Sequence, residues 1–367
     1  MEILFIGPLP EPMTGQALAC RVFLDRLPKE HTVNLINLSK RDFRQGFSSI
    51  SRASEVVTIL WRIWRKHKAA DVIYLTVSES IAGNVKDLLI YLLCFSRLRH
   101  MVIHLLGGAS MRGIMLGEGR LLREMNAFFL KRLGGVVVEG ETQAEIYRGT
   151  VPRGKIHVVH NFAEDSLFTS AERIDSKFLR PSPLRVLFLS NLLPGKGHEE
   201  LVEAFFALDE KTKASIEIDF AGGFESEDQR DKFLERVAGV EKIRYHGTVA
   251  GEGKRDLFDQ AHVFCLPTYY AYEGQPISIL EAYASGCAVI TTDHSGIRDV
   301  FRAEVNGFEV ATRSVAALRG AIERAVAQPE CLHRIAITNL TTAFQRYRTA
   351  NYGKALVKIV ELVAGSN

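Results

Sequence analysis

Short apolar runs alternate with longer segments of helical periodicity along the whole chain. The apolar runs predict six strands in the first half, at 3–6, 32–37, 71–76, 101–105, 135–139 and 156–159. They predict six more in the second half, at 185–189, 216–221, 243–246, 263–266, 288–292 and 307–310. Strands that alternate with helices are typical of parallel sheets covered by crossover helices. The doubled pattern therefore predicts an α/β protein with two Rossmann-like domains.

A polar segment at 163–183 separates the two sets of strands. It contains Arg180-Pro181-Ser182-Pro183 and shows no sustained apolar period, so it predicts a linker. We expect one domain over residues 1–168, a second over residues 180–344, and a helix over about 345–367. Ligands of open parallel sheets bind at the carboxyl ends of the strands, so the functional residues are expected there, facing the cleft between the domains.

Length and composition leave room for two packed domains. The 367 residues are 47% hydrophobic and 24% charged. The longest apolar stretch, 88–95, is far short of the ~20 residues that span a bilayer. We therefore expect a buried helix there, and neither a signal peptide nor a transmembrane helix. The five cysteines are scattered without metal-ligand spacing, which predicts reduced core thiols of a cytoplasmic protein and no metal site.

The net charge of +3 conceals an asymmetry between the halves. Residues 1–160 carry +8 and the remainder −5, so we expect the first half to meet a membrane surface, a lipid phosphate or an acidic glycan. Nucleic acid is disfavoured because no binding motif is present. The segment Trp61-Arg62-Ile63-Trp64-Arg65-Lys66-His67-Lys68 has two interpretations. It suits lipid headgroups, and it equally suits a domain helix with its apolar face in the core and its basic face in water.

The most informative stretch is Tyr272-Glu273-Gly274-Gln275-Pro276-Ile277-Ser278-Ile279-Leu280-Glu281-Ala282-Tyr283-Ala284-Ser285-Gly286. Pro276 suits the first turn of a helix and Gly286 suits its end. Because a helix N-terminus offers N–H groups and partial positive charge, the loop Gly274-Gln275-Pro276-Ile277 suits a diphosphate. The carboxylates of Glu273 and Glu281 suit sugar hydroxyls. Composition alone favours a plainer interpretation, in which one acid is a helix-start charge and the other a solvated face residue.

This stretch resembles the two-glutamate signature of the family 4 retaining glycosyltransferases, with seven residues between Glu273 and Glu281. Four further blocks occur in family order: Ser190-Asn191-Leu192-Leu193-Pro194-Gly195-Lys196-Gly197, Phe220-Ala221-Gly222-Gly223, Tyr245-His246-Gly247-Thr248-Val249 and Thr292-Asp293-His294-Ser295-Gly296. The resemblance implies the GT-B arrangement of two facing Rossmann-like domains. The first would bind the acceptor and the second the donor, and the C-terminal helix would cross back to the first.

By resemblance, Glu273 binds hydroxyls of the transferred sugar, Glu281 binds the ribose of the nucleotide, and Lys196 binds the donor phosphates. A lysine there offsets the charge that builds on the leaving group. The family usually has an arginine five residues before this lysine, where this chain has Asn191. Either another cation replaces the arginine, or the helix end and Lys196 hold the diphosphate.

Three glycines outside this stretch also match family positions near the donor. Gly222 and Gly247 lie in two of the blocks quoted above. Gly15 lies in Gly7-Pro8-Leu9-Pro10-Glu11-Pro12-Met13-Thr14-Gly15-Gln16, which resembles the family's glycine loop between the first strand and its helix. Glycine allows close approach of the backbone to a ligand at such a place. An ordinary glycine-containing turn is the alternative for this loop.

In the first half, His104-Leu105-Leu106-Gly107-Gly108 resembles the family's histidine segment beside the transferred sugar, with Leu106 where many relatives have a second histidine. His104 is therefore a candidate catalytic residue, and a histidine satisfied within the core is the alternative. Asn161 matches the family's hinge asparagine, although Phe162 stands where a glycine is usual.

The resemblance implies transfer of a sugar, with retention, from a nucleoside diphosphate sugar to an acceptor hydroxyl. A UDP- or GDP-sugar is the expected donor, and a bacterial surface polysaccharide or lipid-linked glycan is the expected acceptor, at the inner face of the cell membrane. No cofactor or metal is expected, because Lys196 and the helix dipole could do the electrostatic work of a metal. A nucleotide-sugar epimerase and a non-catalytic sugar-nucleotide-binding protein remain alternatives. A dehydrogenase is disfavoured because neither first strand is followed by Gly-x-Gly-x-x-Gly.

Overall fold

The computed structural model describes residues 1–10, 14–39, 49–179 and 182–366, without the side chains of 49–53. The chain divides into two compact units. Residues 1–161 and 350–367 form the first unit, and residues 162–349 form the second.

The first unit is built on six strands and the helices between them. In chain order these elements are β1 Glu2–Gly7, α1 Gly15–Arg26, β2 Thr32–Asn37, α2 Ser49–Lys66, β3 Val72–Thr76, α3 Ile81–Leu93, β4 Met101–Leu105, α4 Ala109–Leu116, α5 Arg120–Leu130, β5 Gly135–Val138, α6 Glu141–Ala144 and β6 Ile156–Val158. The strands form one parallel sheet in the order β2-β1-β3-β4-β5-β6. All six strands predicted for this half are confirmed, and each end agrees within one residue.

The first sheet is buried on both faces, as its continuous apolar strands require. On one face, Leu4 and Leu75 share a core with Ile63 of α2, Tyr91 of α3 and Leu130 of α5. The three helices α2, α3 and α5 therefore form one layer over this face.

Aromatic rings fill the space on the opposite face of the first sheet. Phe5 stacks on Tyr74 with ring centroids 5.1 Å apart, and Phe23 of α1 packs 4.8 Å from Tyr74. The burial of these rings fixes α1 against the sheet.

The second unit repeats the design. Its elements are α7 Ala171–Phe178, β7 Leu184–Leu189, α8 His198–Phe206, α9 Glu210–Ala214, β8 Ile216–Ala221, α10 Glu227–Val237, β9 Ile243–Tyr245, α11 Gly251–Gln260, β10 Val263–Leu266, α12 Ile277–Ala284, β11 Ala288–Thr292, β12 Gly307–Val310, α13 Val315–Ala327 and α14 Pro329–Arg346. The strands form a parallel sheet in the order β12-β11-β10-β7-β8-β9. The six strands predicted for this half are confirmed to within one residue.

The last helix, α15, spans Thr349–Ala364. From residue 350 onward the chain belongs to the first unit. Tyr352, Leu356 and Val360 on this helix are buried, and the Tyr352 hydroxyl donates to the Ala19 carbonyl oxygen at 3.5 Å. The predicted return of the C-terminal helix to the first domain is confirmed.

One expectation about local structure was wrong, and a second was confirmed only in part. Most of the segment at 163–183 is not a linker, because α7 packs in the second unit with Ile174 buried against Ala336 and Leu340 of α14. Ile174 is the one buried residue of α7, so this helix shows no apolar period that could be recognised in the sequence. Arg180 and Pro181 lie outside the described residues. The stretch 88–95 is helical as far as Leu93, and Leu88, Ile90 and Tyr91 are buried as expected. Leu89, Leu92 and Phe95, however, are exposed to solvent.

Candidate functional site

Loops that follow neighbouring strands meet at the carboxyl edge of the second sheet. Strand β10 lies between β7 and β11, so the loops after these three strands leave the sheet side by side. The Tyr269 N–H donates to the Gly195 carbonyl oxygen at 2.7 Å, and the Gly296 N–H donates to the Gly274 carbonyl oxygen at 3.2 Å. These backbone bonds fasten the three loops to one another.

Lys196 stands in a tight turn between two glycines. Gly195 and Gly197 have φ angles of +90° and +88°, a conformation that favours glycine. A Cβ atom on Gly197 would also lie 2.6 Å from the Pro267 carbonyl oxygen. The turn therefore requires glycine after Lys196, and it places the ammonium 4.8 Å from the centroid of the Tyr270 ring.

The Lys196 ammonium and the Glu273 carboxylate form a two-pronged ion pair. The Lys196 Nζ atom lies 3.0 Å from Glu273 Oε1 and 2.8 Å from Oε2. The Thr268 hydroxyl donates to Oε2 at 2.9 Å, and the Ser295 hydroxyl donates to the Glu273 carbonyl oxygen at 2.6 Å. Glu273 is buried and held from three sides. The cation predicted to bind phosphate and the carboxylate predicted to bind sugar hydroxyls thus lie side by side.

Helix α12 begins directly beyond Glu273. Pro276 precedes the first helical residue, Ile277, and Gly286 follows the helix with a φ angle of +63°, so the predicted start and stop signals are confirmed. Ile279, Leu280 and Tyr283 are fully buried and anchor the helix in the core. The first-turn N–H groups carry partial positive charge and can receive an anion.

Glu281 lies within α12 and belongs to a second ion cluster. The Lys254 Nζ atom of α11 lies 2.6 Å from Glu281 Oε1 and 2.6 Å from Glu164 Oε1. Burial lowers the pKa of Lys254, but the attraction of the two carboxylates outweighs burial and leaves this pKa above its ordinary value. Lys254 is therefore charged at neutral pH. Sequence reasoning missed it, because α11 carries no motif and tertiary packing alone brings Lys254 to Glu281.

The remaining predicted donor residues line the same edge of the second sheet. Gly222 has a φ angle of +140°, and a Cβ atom there would lie 1.8 Å from the Ser190 carbonyl oxygen. Its N–H donates to the Gly247 carbonyl oxygen at 2.8 Å, which joins the loops after β8 and β9. Asn191 is exposed in the loop that carries Lys196. Gln275 is buried beside the start of α12.

Gly15 and His104 belong to the first unit. Gly15 is the exposed first residue of α1, and residues 11–13 of its loop lie outside the described residues. The Gln16 side-chain amide donates to the Leu106 carbonyl oxygen at 2.6 Å, which joins the first turn of α1 to the loop after β4. Gln16 was not selected from the sequence.

His104 is fully buried in β4, and its Nδ1 atom is paired with the Tyr74 hydroxyl. Burial lowers the pKa of His104 to about 3, so the ring is neutral at physiological pH. Within the part of the chain that the structure describes, nothing hydrogen-bonds Nε2. This is the environment of a core histidine, and its catalytic role stays a prediction that rests on the resemblance alone.

Asn161 is the last residue of the first unit before the chain enters the second, and it is buried. Its side-chain amide donates to Glu139 Oε1 at 2.7 Å, while Gln143 donates to Glu139 Oε2 at 2.7 Å. The Glu139 carboxylate therefore orients the predicted hinge residue. Glu139 and Gln143 carry no sequence signal that would have selected them.

The described ranges contain neither a metal centre nor a membrane span. No group of His, Cys, Asp or Glu side chains there is arranged to hold a metal ion. No helix there is both long and apolar enough to cross a bilayer. All five cysteines are free, and four of them are buried.

Comparisons with known proteins point to one superfamily. Residues 170–339 match the family model described as glycosyl transferases group 1. The chain is 23% identical over 218 residues to an uncharacterized glycosyltransferase of Methanocaldococcus jannaschii. The aligned region covers 58% of this chain and 55% of that protein. It is 28% identical over 130 residues to the amylovoran biosynthesis glycosyltransferase AmsK of Erwinia amylovora. This aligned region covers 34% of this chain and 32% of that protein. The matched region thus spans about half the length of the first relative and about a third of the second.

Solved structures extend the likeness to the whole chain. HepE of Anabaena, in complex with UDP-glucose, matches with a TM-score of 0.72 at 14% identity, over 100% of both chains. At this identity the likeness establishes the fold, which is GT-B with two Rossmann-like domains. The family model and the relatives support the glycosyltransferase superfamily, and membership of family 4 stays a prediction.

Proposed function

We propose that the protein is a retaining glycosyltransferase that moves a sugar from a nucleoside diphosphate sugar to an acceptor hydroxyl. The observation that carries the proposal is the Lys196–Glu273 pair at 2.8 Å beside the start of α12. Lys196 and the helix N-terminus would receive the diphosphate, and Glu273 would receive hydroxyls of the transferred sugar.

In the proposed reaction, the bond between the anomeric carbon and the diphosphate oxygen breaks, and a bond from that carbon to the acceptor oxygen forms. The acceptor proton passes to an oxygen of the departing diphosphate, which serves as the base. Negative charge on the diphosphate grows as the first bond breaks. Lys196 would stabilise that growing charge more strongly than the charge of the ground state, which is the condition for a faster reaction.

A UDP-sugar is the proposed donor. HepE, which shares the fold, was solved with UDP-glucose, and its likeness supports a uridine nucleotide here. Glu281 would accept hydrogen bonds from the ribose, with Gly222, Gly247 and the loop at 274–277 around the rest of the donor.

The proposed acceptor is a glycan or lipid-linked glycan of bacterial polysaccharide synthesis. The name of AmsK, a biosynthetic enzyme for amylovoran, supports this class of product. The charge of +8 on residues 1–160 supports an anionic acceptor or its lipid carrier. We place the reaction at the inner face of the cell membrane.

The test incubates the purified chain with UDP-glucose and other UDP- and GDP-sugars, with and without lipid-linked acceptors. Release of the nucleoside diphosphate together with a glycosylated acceptor is the expected result. Isomerised donor without acceptor would indicate an epimerase, and binding without turnover would indicate a non-catalytic protein. A thermal-shift panel identifies the ligand, since a compound that binds only the native state raises apparent stability. Nicotinamide cofactors outperforming every nucleotide sugar would overturn the proposal.

A further inference from the structure

Helix α3 presents only apolar side chains to solvent. Its exposed residues include Ile81, Val85, Leu89 and Leu92, which are 64%, 47%, 41% and 61% accessible. Its two charged residues, Lys86 and Asp87, pair with each other at 3.0 Å and are largely withdrawn from solvent. A surface helix usually turns its charged residues outward. On α3 the outward face carries no charge.

Helix α5 and the turn after α3 continue this apolar surface. Leu121, Met125 and Phe128 follow the spacing of one helical face and are exposed, and Glu124 is the one acidic residue exposed among them. Phe128 stacks against the exposed Phe95 with ring centroids 6.1 Å apart. We name the exposed apolar side chains of α3 and α5, together with Phe95, the α3–α5 face. A soluble surface rarely exposes so many large apolar side chains together unless they contact a partner.

Two buried asparagines join the helices beneath the α3–α5 face. Asn84 of α3 and Asn126 of α5 exchange two amide hydrogen bonds, each 3.0 Å long, beneath the face. Both asparagines are fully buried, so breaking the pair would leave polar groups unsatisfied in the core. The apolar side chains are therefore presented by a fixed pair of helices.

Cations and tryptophans border the α3–α5 face. Helix α2 packs along α3 and exposes Trp61 and Trp64, with the Arg65 guanidinium 4.9 Å from the Trp61 ring centroid. At the end of α5, the Arg132 guanidinium lies 3.9 Å from the Phe128 ring centroid. An apolar centre with a basic, aromatic border matches the chemistry of a bilayer interface that contains anionic lipids.

We propose that the α3–α5 face docks on an anionic lipid bilayer. Its apolar side chains would enter the headgroup boundary, to a depth of roughly 5–10 Å, while the bordering cations contact lipid phosphates. Nucleic acid does not fit the apolar centre. A second copy of this chain fits poorly, because pairing the same face would bring two basic borders together. The proposal goes beyond sugar transfer and requires neither donor nor acceptor.

The test measures binding of the full chain to vesicles of phosphatidylcholine alone, and of phosphatidylcholine and phosphatidylglycerol in equal parts. The chain has two tryptophans, both on α2, so a blue shift of their emission reports docking at the border itself. The parent should bind the anionic vesicles and lose part of its affinity as salt rises.

Leu89→Ser combined with Leu92→Ser should weaken vesicle binding at least ~10-fold at every salt concentration, since each buried CH₂ group contributes to membrane affinity. Arg65→Gln combined with Arg132→Gln should weaken it mainly at low salt. Leu362→Ser is the matched control, because Leu362 lies on α15 of the same unit and is 59% exposed, close to the 61% of Leu92. It should bind like the parent. Far-ultraviolet circular dichroism checks that each variant is folded.

Equal binding by the Leu89/Leu92 variant and the parent would overturn the proposal. The proposal would also be overturned if the parent bound neither kind of vesicle but formed a dimer, and the same two substitutions dissociated that dimer. The α3–α5 face would then be a protein interface. Neither result depends on sugar transfer, so the failure of one proposal is distinguishable from that of the other.

Discussion

In the second unit, each of the two glutamates predicted to bind the donor is paired with a lysine. The surroundings of the two pairs differ. Lys196 and Glu273 lie on two neighbouring loops with their charged atoms 2.8 Å apart, and glycines shape the turn around Lys196. Lys254 lies on α11 and Glu281 on α12, their charged atoms are 2.6 Å apart, and Glu281 is only 2% exposed. The first pair is positioned by backbone bonds between loops, and the second by the hydrophobic core.

The difference indicates different roles. Loop residues at the edge of a sheet can exchange partners when a charged ligand arrives. Ions fixed between helices cannot move without disturbing the core, and separating them leaves an uncompensated buried charge. We therefore expect the Lys196–Glu273 pair to act on the reacting atoms and the Lys254–Glu281 pair to hold the nucleotide side of the site in place.

The largest expected effect comes from Lys196→Ala. Removing one electrostatic partner of a developing charge commonly costs ~10²-fold or more in kcat, and KM should change much less. Steady-state kinetics with a UDP-sugar measure both constants. Lys232→Ala is the control, because Lys232 forms an exposed ion pair with Asp228 on α10 of the same unit. Parent-like turnover by the Lys196 variant would remove that residue from the catalytic machinery.

Glu273→Ala should lower kcat by ~10-fold to 10²-fold, because the sugar ring would drift from the geometry that faces the acceptor. Glu273→Gln should keep part of the activity, since its amide oxygen still accepts one hydrogen bond. The same kinetics apply, with nucleotide affinity determined separately by calorimetry. If Gln were as inactive as Ala, the ion pair with Lys196 rather than the hydrogen bond to sugar would be the essential feature.

Glu281→Ala should raise KM and weaken nucleotide binding by about 10-fold while kcat stays nearly unchanged, because a ribose contact is equal in ground and transition states. Titration calorimetry with UDP measures the loss. A large fall in kcat at unchanged KM would contradict the contrast between the two pairs.

Lys254→Met should have the smallest effect on turnover and a clear effect on stability. Burial raises the pKa of Glu281, and Lys254 opposes that rise. Without Lys254, the pKa of Glu281 in the folded protein should rise further. The variant should therefore lose stability as the pH increases from the ordinary carboxyl range through this higher pKa. The gap in thermal midpoint between parent and variant should therefore be wider near pH 8 than near pH 5.

Adding Glu281→Gln to the Lys254 variant should abolish this pH dependence, because the titrating carboxyl is gone. Lys254→Arg should restore much of the parent's profile, since its charge is kept. A gap that stays constant with pH in the Lys254→Met variant would assign Lys254 to packing alone.

Local sequence signals predicted the twelve strands and the ends of α12. Apolar runs of four to six residues between polar segments identify buried parallel strands with little help from the rest of the chain. Pro276 and Gly286 act through their own backbone preferences, so the start and end of α12 could also be predicted from the sequence. Glu273 and Glu281 were identified by resemblance to a family. Neither their pairing with lysines nor their burial was predicted from the sequence.

Contacts between distant segments decided the rest. Ile174 anchors α7 by packing against Ala336 and Leu340 of α14, and Lys254 reaches Glu281 from another helix. Likewise, Leu89 and Leu92 look like core residues until the packing of α3 against α2 and α5 leaves them outside. Backbone preferences act over a few residues, so the sequence by itself determines where strands and helix ends occur. Burial and charge pairing depend on which elements the folded chain brings together, so only the tertiary structure determines them.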